Sequence, residues 1–199
     1  MGRQNEVKEK VYLAASFYFP KPGPQNTEHT LAIAARRSQE LGIKQAVVAS
    51  TSGRTGVLAM EYLKDMRVIV VTHSSGYLRP DYQEFDPENR RKIEALGGHI
   101  LTCQHAFGGV GRAVRKKLGT YQVDEIMAFT LRVFGEGVKV AVEIALMAAD
   151  AGLIQTTEPC LSIGGTGKGA DSALILKPSN SQTFFDLKVM EILAKPRLG

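Results

Sequence analysis

Short apolar runs, each bounded by glycine, proline or polar clusters, recur along the chain and alternate with segments of helical period. Val11–Phe17 (VYLAASF), Gln45–Ser50 (QAVVAS), Arg67–Thr72 (RVIVVT) and Gly98–Cys103 (GHILTC) are such runs and predict four strands. Between them, Leu31, Ala34, Ala35, Ser38 and Leu41 have helical spacing after an N-cap at Asn26, with Glu28 in the first turn and Gly42 as the stop. A second helix carries Val57, Met60, Tyr62 and Leu63, and a third runs from Pro87 to Leu96 with proline at its first position. Tyr121–Phe134 sets Val123, Ile126, Met127, Thr130 and Phe134 on one stripe. Glu136–Ala151 is apolar nearly all round, which predicts burial between other elements. Cys160–Ile163 and Ala173–Leu176 predict two more strands, paired as a hairpin around GGTGKGADS, and Asp186–Leu193 predicts a closing helix. Continuous apolar strands alternating with helices imply one three-layer α/β/α domain over 1–199. Its sheet is expected to be largely parallel, with the first four strands neighbours and an antiparallel hairpin at the C-terminal end.

Composition narrows the classes. Of 199 residues 44% are hydrophobic and 23% charged, ordinary values for a globular domain with its own core. The net charge of +5 is spread thinly. Its longest basic tract is Arg112–Lys117 with Ala and Val between the charges, so a small phosphorylated ligand is favoured over nucleic acid. No apolar run approaches the roughly 18 residues of a membrane helix, and MGRQNEVKEK lacks an apolar leader, so the expected location is the cytoplasm. Cys103 and Cys160 match no zinc spacing and read as reduced buried thiols. His29, His73, His99 and His105 have no metal-ligand spacing, so no metal site is expected. Lys139 and Glu143 are four apart on the buried helix and are expected to pair. No acid-base couple stands out, and a homo-oligomer is left open.

Candidate chemistry lies in the glycine-rich loops after strands. In open α/β sheets, ligands bind beyond the carboxyl ends of the strands. Ser50-Thr51-Ser52-Gly53-Arg54-Thr55 joins a strand to a helix start, where free amides and the helix dipole suit an anion. Four hydroxyls and a guanidinium complete a phosphate's needs. Gly165, Thr166, Gly167, Lys168 and Gly169 follow a later strand and offer amides and one cation to a second polar group. This second loop is neither a Walker A nor a dinucleotide fingerprint. Both loops are expected at the same end of the sheet. Gly108-Gly109 reads as a helix entry and Gly135-Glu136-Gly137 as a helix-to-helix turn beside which a planar ligand has room. His73 and His105 each follow a strand and are candidates to line the crevice; Phe19, Phe107 and Phe134 are candidates for a flat apolar slot.

STSGRTG, placed between QAVVA and VIVVT, resembles the effector loop in the C-terminal domain of pyruvate kinase. NTEHT, VVTHSSG, FGEGVKVAVEIALMAADAG and GGTGKGADSALILKP extend the likeness over nearly the whole chain, to the stand-alone, mainly archaeal pyruvate kinase α/β-domain proteins. The resemblance implies that Ser50, Ser52, Gly53, Arg54 and Thr55 hold a phosphate and that Thr166 to Asp171 form a second wall. It implies flavin mononucleotide as the cofactor, with no settled reaction. Its ring is expected toward Thr72, His73, Phe107 and the Gly135–Gly137 turn. Pyruvate kinase activity is not implied, because the catalytic barrel alone needs about 250 residues. Three functions compete: a flavin-binding protein open to redox chemistry, a regulatory module that holds a sugar phosphate without chemistry, and, least favoured, a basic nucleic-acid-binding protein. The kinase family's second effector loop carries Trp and Arg where this chain offers only Lys168, which counts against a sugar bisphosphate.

Overall fold

The structure is a computed structural model and describes residues 14–197. In chain order its elements are β1 (Phe17–Phe19), α1 (Thr27–Leu41), β2 (Gln45–Ala49), α2 (Arg54–Tyr62), β3 (Arg67–Val71), α3 (Pro87–Ala95), β4 (His99–Leu101), α4 (Val110–Leu118), α5 (Val123–Arg132), α6 (Glu136–Asp150), β5 (Cys160–Gly164), β6 (Ser172–Lys177) and β7 (Lys188–Pro196). Seven strands form one sheet in the order β1-β7-β6-β5-β2-β3-β4. Neighbours run parallel except where β6 meets β5 and β7. This is the mixed α/β fold expected, with its antiparallel hairpin at β5–β6.

The strands form because both faces of the sheet are covered. On one face Leu31 and Ala34 of α1, Ala59 and Met60 of α2 and Ile93 of α3 pack with Val48, Val70 and Ile163. On the other face α6 packs with Val47, Ile69, Leu174 and Leu176. Twelve residues of the fifteen-residue α6 are buried, as its all-round apolar sequence requires. Alternate residues of β2 and β3 thus enter opposite cores, which is why those strands read as continuous apolar runs.

Four expectations are corrected. The first strand begins at Phe17; Ala14–Ser16 are described but carry no strand, and Val11–Leu13 lie outside the described residues. That strand is not a neighbour of β2 but lies at the far edge beside β7. Lys188–Pro196 is a strand, not a helix. Its residues Lys, Met, Glu, Leu and Ala favour helix, but pairing decides: Leu174 faces Ile192, Ala173 faces Ala194, and Phe17 meets Ala194 from the other side. Leu193 enters one core while Ile192 packs against the other, the alternation of a strand covered on both faces. Finally, Asn26 stands at the N-cap of α1 without capping it, since its Nδ2 donates to the Lys21 carbonyl at 2.8 Å.

Candidate functional site

β2 and β5 are parallel neighbours, with Val48 opposite Ile163, so both glycine-rich loops leave the same end of the sheet. From there the chain diverges: β2 continues through α2 to β3, whereas β5 turns back into β6. Such a divergence opens a crevice between neighbouring strands, and Ser50–Thr55 and Gly165–Gly169 form its two walls.

The first wall is held rigidly. Ser50 is buried; its amide donates to the Val71 carbonyl at 2.9 Å and its Oγ accepts from the Gly56 amide at 3.2 Å. The Ser52 carbonyl accepts from Asn89 Nδ2 at 3.0 Å and from the Asp86 amide at 3.2 Å, tying the loop to the start of α3. Gly53 has φ 90°, and a Cβ there would sit 2.6 Å from Asn89 Cβ, so only glycine fits. Among the described residues the amides of Ser52, Gly53, Arg54 and Thr55 have no hydrogen-bond acceptor. They open the first turn of α2, where the helix dipole is positive. Arg54 is exposed; its Nε donates to Ser52 Oγ at 3.3 Å, and among the described residues no carboxylate neutralises it. Thr51 is half-buried and Thr55 buried.

In the second wall, Gly165, Thr166 and Gly169 are half-buried, and Gly167 and Lys168 are exposed. Asp171 is turned the other way. Fully buried, it accepts from the Thr166 and Gly23 amides at Oδ2 and from Ser172 Oγ at Oδ1, so it braces the loop rather than facing the crevice.

Most residues expected at the ring end are buried. Thr72 is buried and its Oγ1 lies 2.7 Å from both the His73 carbonyl and Thr102 Oγ1. Phe107 is only 4% exposed and packs edge-on to Phe184, because its amide is drawn inward to Glu143 Oε1 at 2.9 Å. Gly135 and Gly137 are buried; Gly137 lets α6 approach β6 so closely that a Cβ would lie 2.6 Å from Asp171 Oδ1. Phe19 is carried to the far edge with β1, and Phe134 is 51% exposed at the end of α5.

His73 follows β3 and reaches the first wall. Its Nδ1 lies 2.9 Å from Glu84 Oε2 and its Nε2 lies 3.4 Å from Thr51 Oγ1 on the first wall. Its ring packs on Tyr77, 4.0 Å between centroids, and Tyr77 stacks on His105 at 5.2 Å. Beyond this row lies a cleft of about 670 Å³ lined by Tyr77, Thr102, His105, Gly108, Val110 and Arg112. The Arg112 guanidinium lies 5.0 Å from the Tyr77 ring. The Gly108-Gly109 pair enters α4 as expected.

Beneath the cleft, Lys139 Nζ donates to Glu143 Oε2 at 2.5 Å, the expected pair, with both residues buried. His105 Nε2 accepts from the Ser74 amide at 3.3 Å, and its Nδ1 lies 3.8 Å from Glu143 Oε1. Burial pushes the His105 pKa below its ordinary value; Glu143 opposes this shift, while His73, Lys139 and Arg112 reinforce it. This direction favours the neutral imidazole, and Nε2 accepts from the loop above it. Cys160 is buried, and burial pushes its thiol far up; Cys103 is only half-buried, short of the burial expected. No helix among the described residues is long and apolar enough to cross a membrane.

Tyr77, Glu84 and Arg112 were not singled out by sequence reasoning. They lie on the long loop after β3 and on α4, and no spacing links them to one another. A family model described as the pyruvate kinase alpha/beta domain matches residues 28–176, a span from α1 to β6 that includes both walls of the crevice. The chain belongs to the pyruvate kinase α/β-domain family.

Proposed function

We propose that the protein binds a phosphorylated small molecule, flavin mononucleotide first among them, with its phosphate on Ser50–Thr55. The carrying observation is the set of unengaged amides from Ser52 to Thr55 at the first turn of α2, beside the exposed Arg54. A phosphate dianion fits that donor set, and Thr51 and Ser52 add hydroxyls. His73 bridges the phosphate wall and the cleft, since its ring meets both Thr51 and Tyr77. The cleft is within the usual range for small-ligand sites, ~300–1,000 Å³. It has an aromatic wall in Tyr77 and a cation in Arg112, which together suit a flat ring with carbonyl groups. The ring end thus moves from Thr72, Phe107 and Gly135–Gly137 to Tyr77, His105 and Arg112. Lys168, exposed on the loop after β5 beside β2, supplies a further cation to the phosphate end. A bound flavin would supply redox chemistry at its ring. The chain's own residues anchor the phosphate and flank the ring.

Titration of the protein with flavin mononucleotide and with riboflavin, read by flavin fluorescence, tests this. Tight binding of the first and weak binding of the second is the expected result. Comparable binding of both removes the phosphate anchor. Binding of neither, together with binding of a sugar phosphate in calorimetry, replaces the flavin reading with the regulatory module. Arg54→Ala is expected to weaken flavin mononucleotide by about 1.5–3 kcal/mol, the range of a hydrogen bond to a charged group. That is roughly 10- to 150-fold in Kd. The thermal midpoint without ligand is expected to stay put, because Arg54 is exposed and its Nε bonds only Ser52. Unchanged affinity in this variant would remove Arg54 from the site.

A further inference from the structure

α5 is apolar on two sides, and the structure buries only one. Its inner side carries Ala128, buried, with Met127 and Leu131 packed against the α6 core. On its outer side Val123 is 72% exposed, Ile126 53%, Phe129 52% and Val133 77%. Of the stripe that the sequence marks for burial, Val123, Ile126, Thr130 and Phe134 are exposed, and Met127 alone packs on the core. Val123, Ile126, Thr130 and Val133 recur at three, four and three residues, the spacing of a helix–helix seam. Thr130 does not interrupt it: its Oγ1 donates back to the Ile126 carbonyl at 3.0 Å, so its hydroxyl is satisfied within the helix. Tyr121, 53% exposed, meets Phe129 edge-on at 5.5 Å and widens the patch, and Phe134 extends it. Taking ~200 Å² for a fully exposed large apolar side chain, Tyr121, Val123, Ile126, Phe129, Val133 and Phe134 present roughly 700 Å². That exceeds the ~300–600 Å² of the largest patch on a typical monomer. It approaches the ~800 Å² that each partner contributes to a standard stable interface.

The rim indicates the kind of partner. Arg115 pairs with Glu125 at 2.8 Å and Arg132 with Glu136 at 2.5 Å, while Asp124 and Lys195, which bonds the Phe134 carbonyl, add one charge of each sign. Nothing there selects an acidic or a basic partner. An apolar stripe at seam spacing is complementary to itself, which is the requirement of a two-fold interface.

We propose that α5 is an assembly surface, covered by the α5 of a second copy of this chain. Sedimentation equilibrium or light scattering on the full-length protein at micromolar concentration is expected to show at least a dimer. Ile126→Glu with Val133→Glu is expected to return it to monomer while far-ultraviolet circular dichroism stays unchanged, since both side chains point outward. Should that variant fail to fold, Ile126→Thr with Val133→Thr is expected to raise the dissociation constant at least tenfold. A wild-type monomer overturns the proposal, and so does a folded variant whose assembly is undiminished.

Discussion

Lys139→Met is expected to destabilise the fold by about 3–5 kcal/mol, the cost of removing one member of a buried ion pair. For a chain of this size that corresponds to a fall in Tm of roughly 6–20 °C, at ~2–4 °C per kcal/mol. Lys139 is 5% exposed and Glu143 3%, so neither charge can be rescued by water. Without Lys139 Nζ, the Glu143 carboxylate keeps only the Phe107 amide on Oε1, with His105 Nδ1 3.8 Å away. The double variant Lys139→Met/Glu143→Gln separates charge from packing. Glutamine still accepts from the Phe107 amide but leaves no buried charge, so more than half of the lost stability is expected to return. Denaturant midpoints of the two variants provide the comparison. If single and double variants lose the same amount, the loss lies in the packing of the lysine stem and not in the orphaned carboxylate. The pair also matters to the site. His105, next to Glu143, holds the Ser74 amide and thereby the loop that carries Tyr77. The single variant is therefore expected to loosen the cleft as well as the core.

The parts of the fold legible in the sequence are those where local pattern and tertiary environment agree. β2 and β3 are buried on both faces and read as unbroken apolar runs. α6 is enclosed and reads as apolar all round. The β5–β6 hairpin is marked by the glycines between its strands. The errors share one cause. β7 has helix-favouring residues, and only its pairing with β6 and β1 makes it a strand, a non-local fact. β1 sits next to β7 because the chain closes its far edge last, and nothing near Phe17 in sequence records that. At the candidate site, the turn from β2 into α2 was legible because its residues are contiguous from Ser50 to Thr55. The cleft was not, because Tyr77, His105 and Arg112 come from three separate segments. The glycines were legible as loops but not in their duties: Gly137 and Gly164 serve packing, and Gly135 takes a positive φ of 123° at the N-cap of α6.

Gly164→Ala provides the second large effect. A Cβ at Gly164 would overlap the Gly137 carbonyl oxygen and lie 2.9 Å from the Ala141 amide nitrogen, both backbone atoms of α6. A side-chain neighbour could rotate aside; a helix backbone cannot. The first turns of α6 must then lift from β5, opening the contact of Ser162 Oγ with the Ala141 carbonyl, now 2.7 Å. Adding a methyl group to a packed core costs about 1–3 kcal/mol when the surroundings yield. With backbone on the opposing side, the expected cost is about 3 kcal/mol, the upper end of that range. That is a Tm lower by roughly 6–12 °C. The contrast is Gly167→Ala on the same loop. Gly167 has φ 77° and nothing within 4 Å of its Cβ position, so its variant bears only the left-handed backbone cost, about 1 kcal/mol. Calorimetric melts of the two variants distinguish contact from conformation. Equal losses would remove the close approach of α6 to β5 as the reason for glycine at 164. A Gly164→Ala protein that also loses affinity for flavin mononucleotide, beside a Gly167→Ala protein that keeps it, would tie the seating of α6 to the shape of the crevice. Gly164 immediately precedes the Gly165–Gly169 wall, and the same α6 turn abuts Ser172 beyond it.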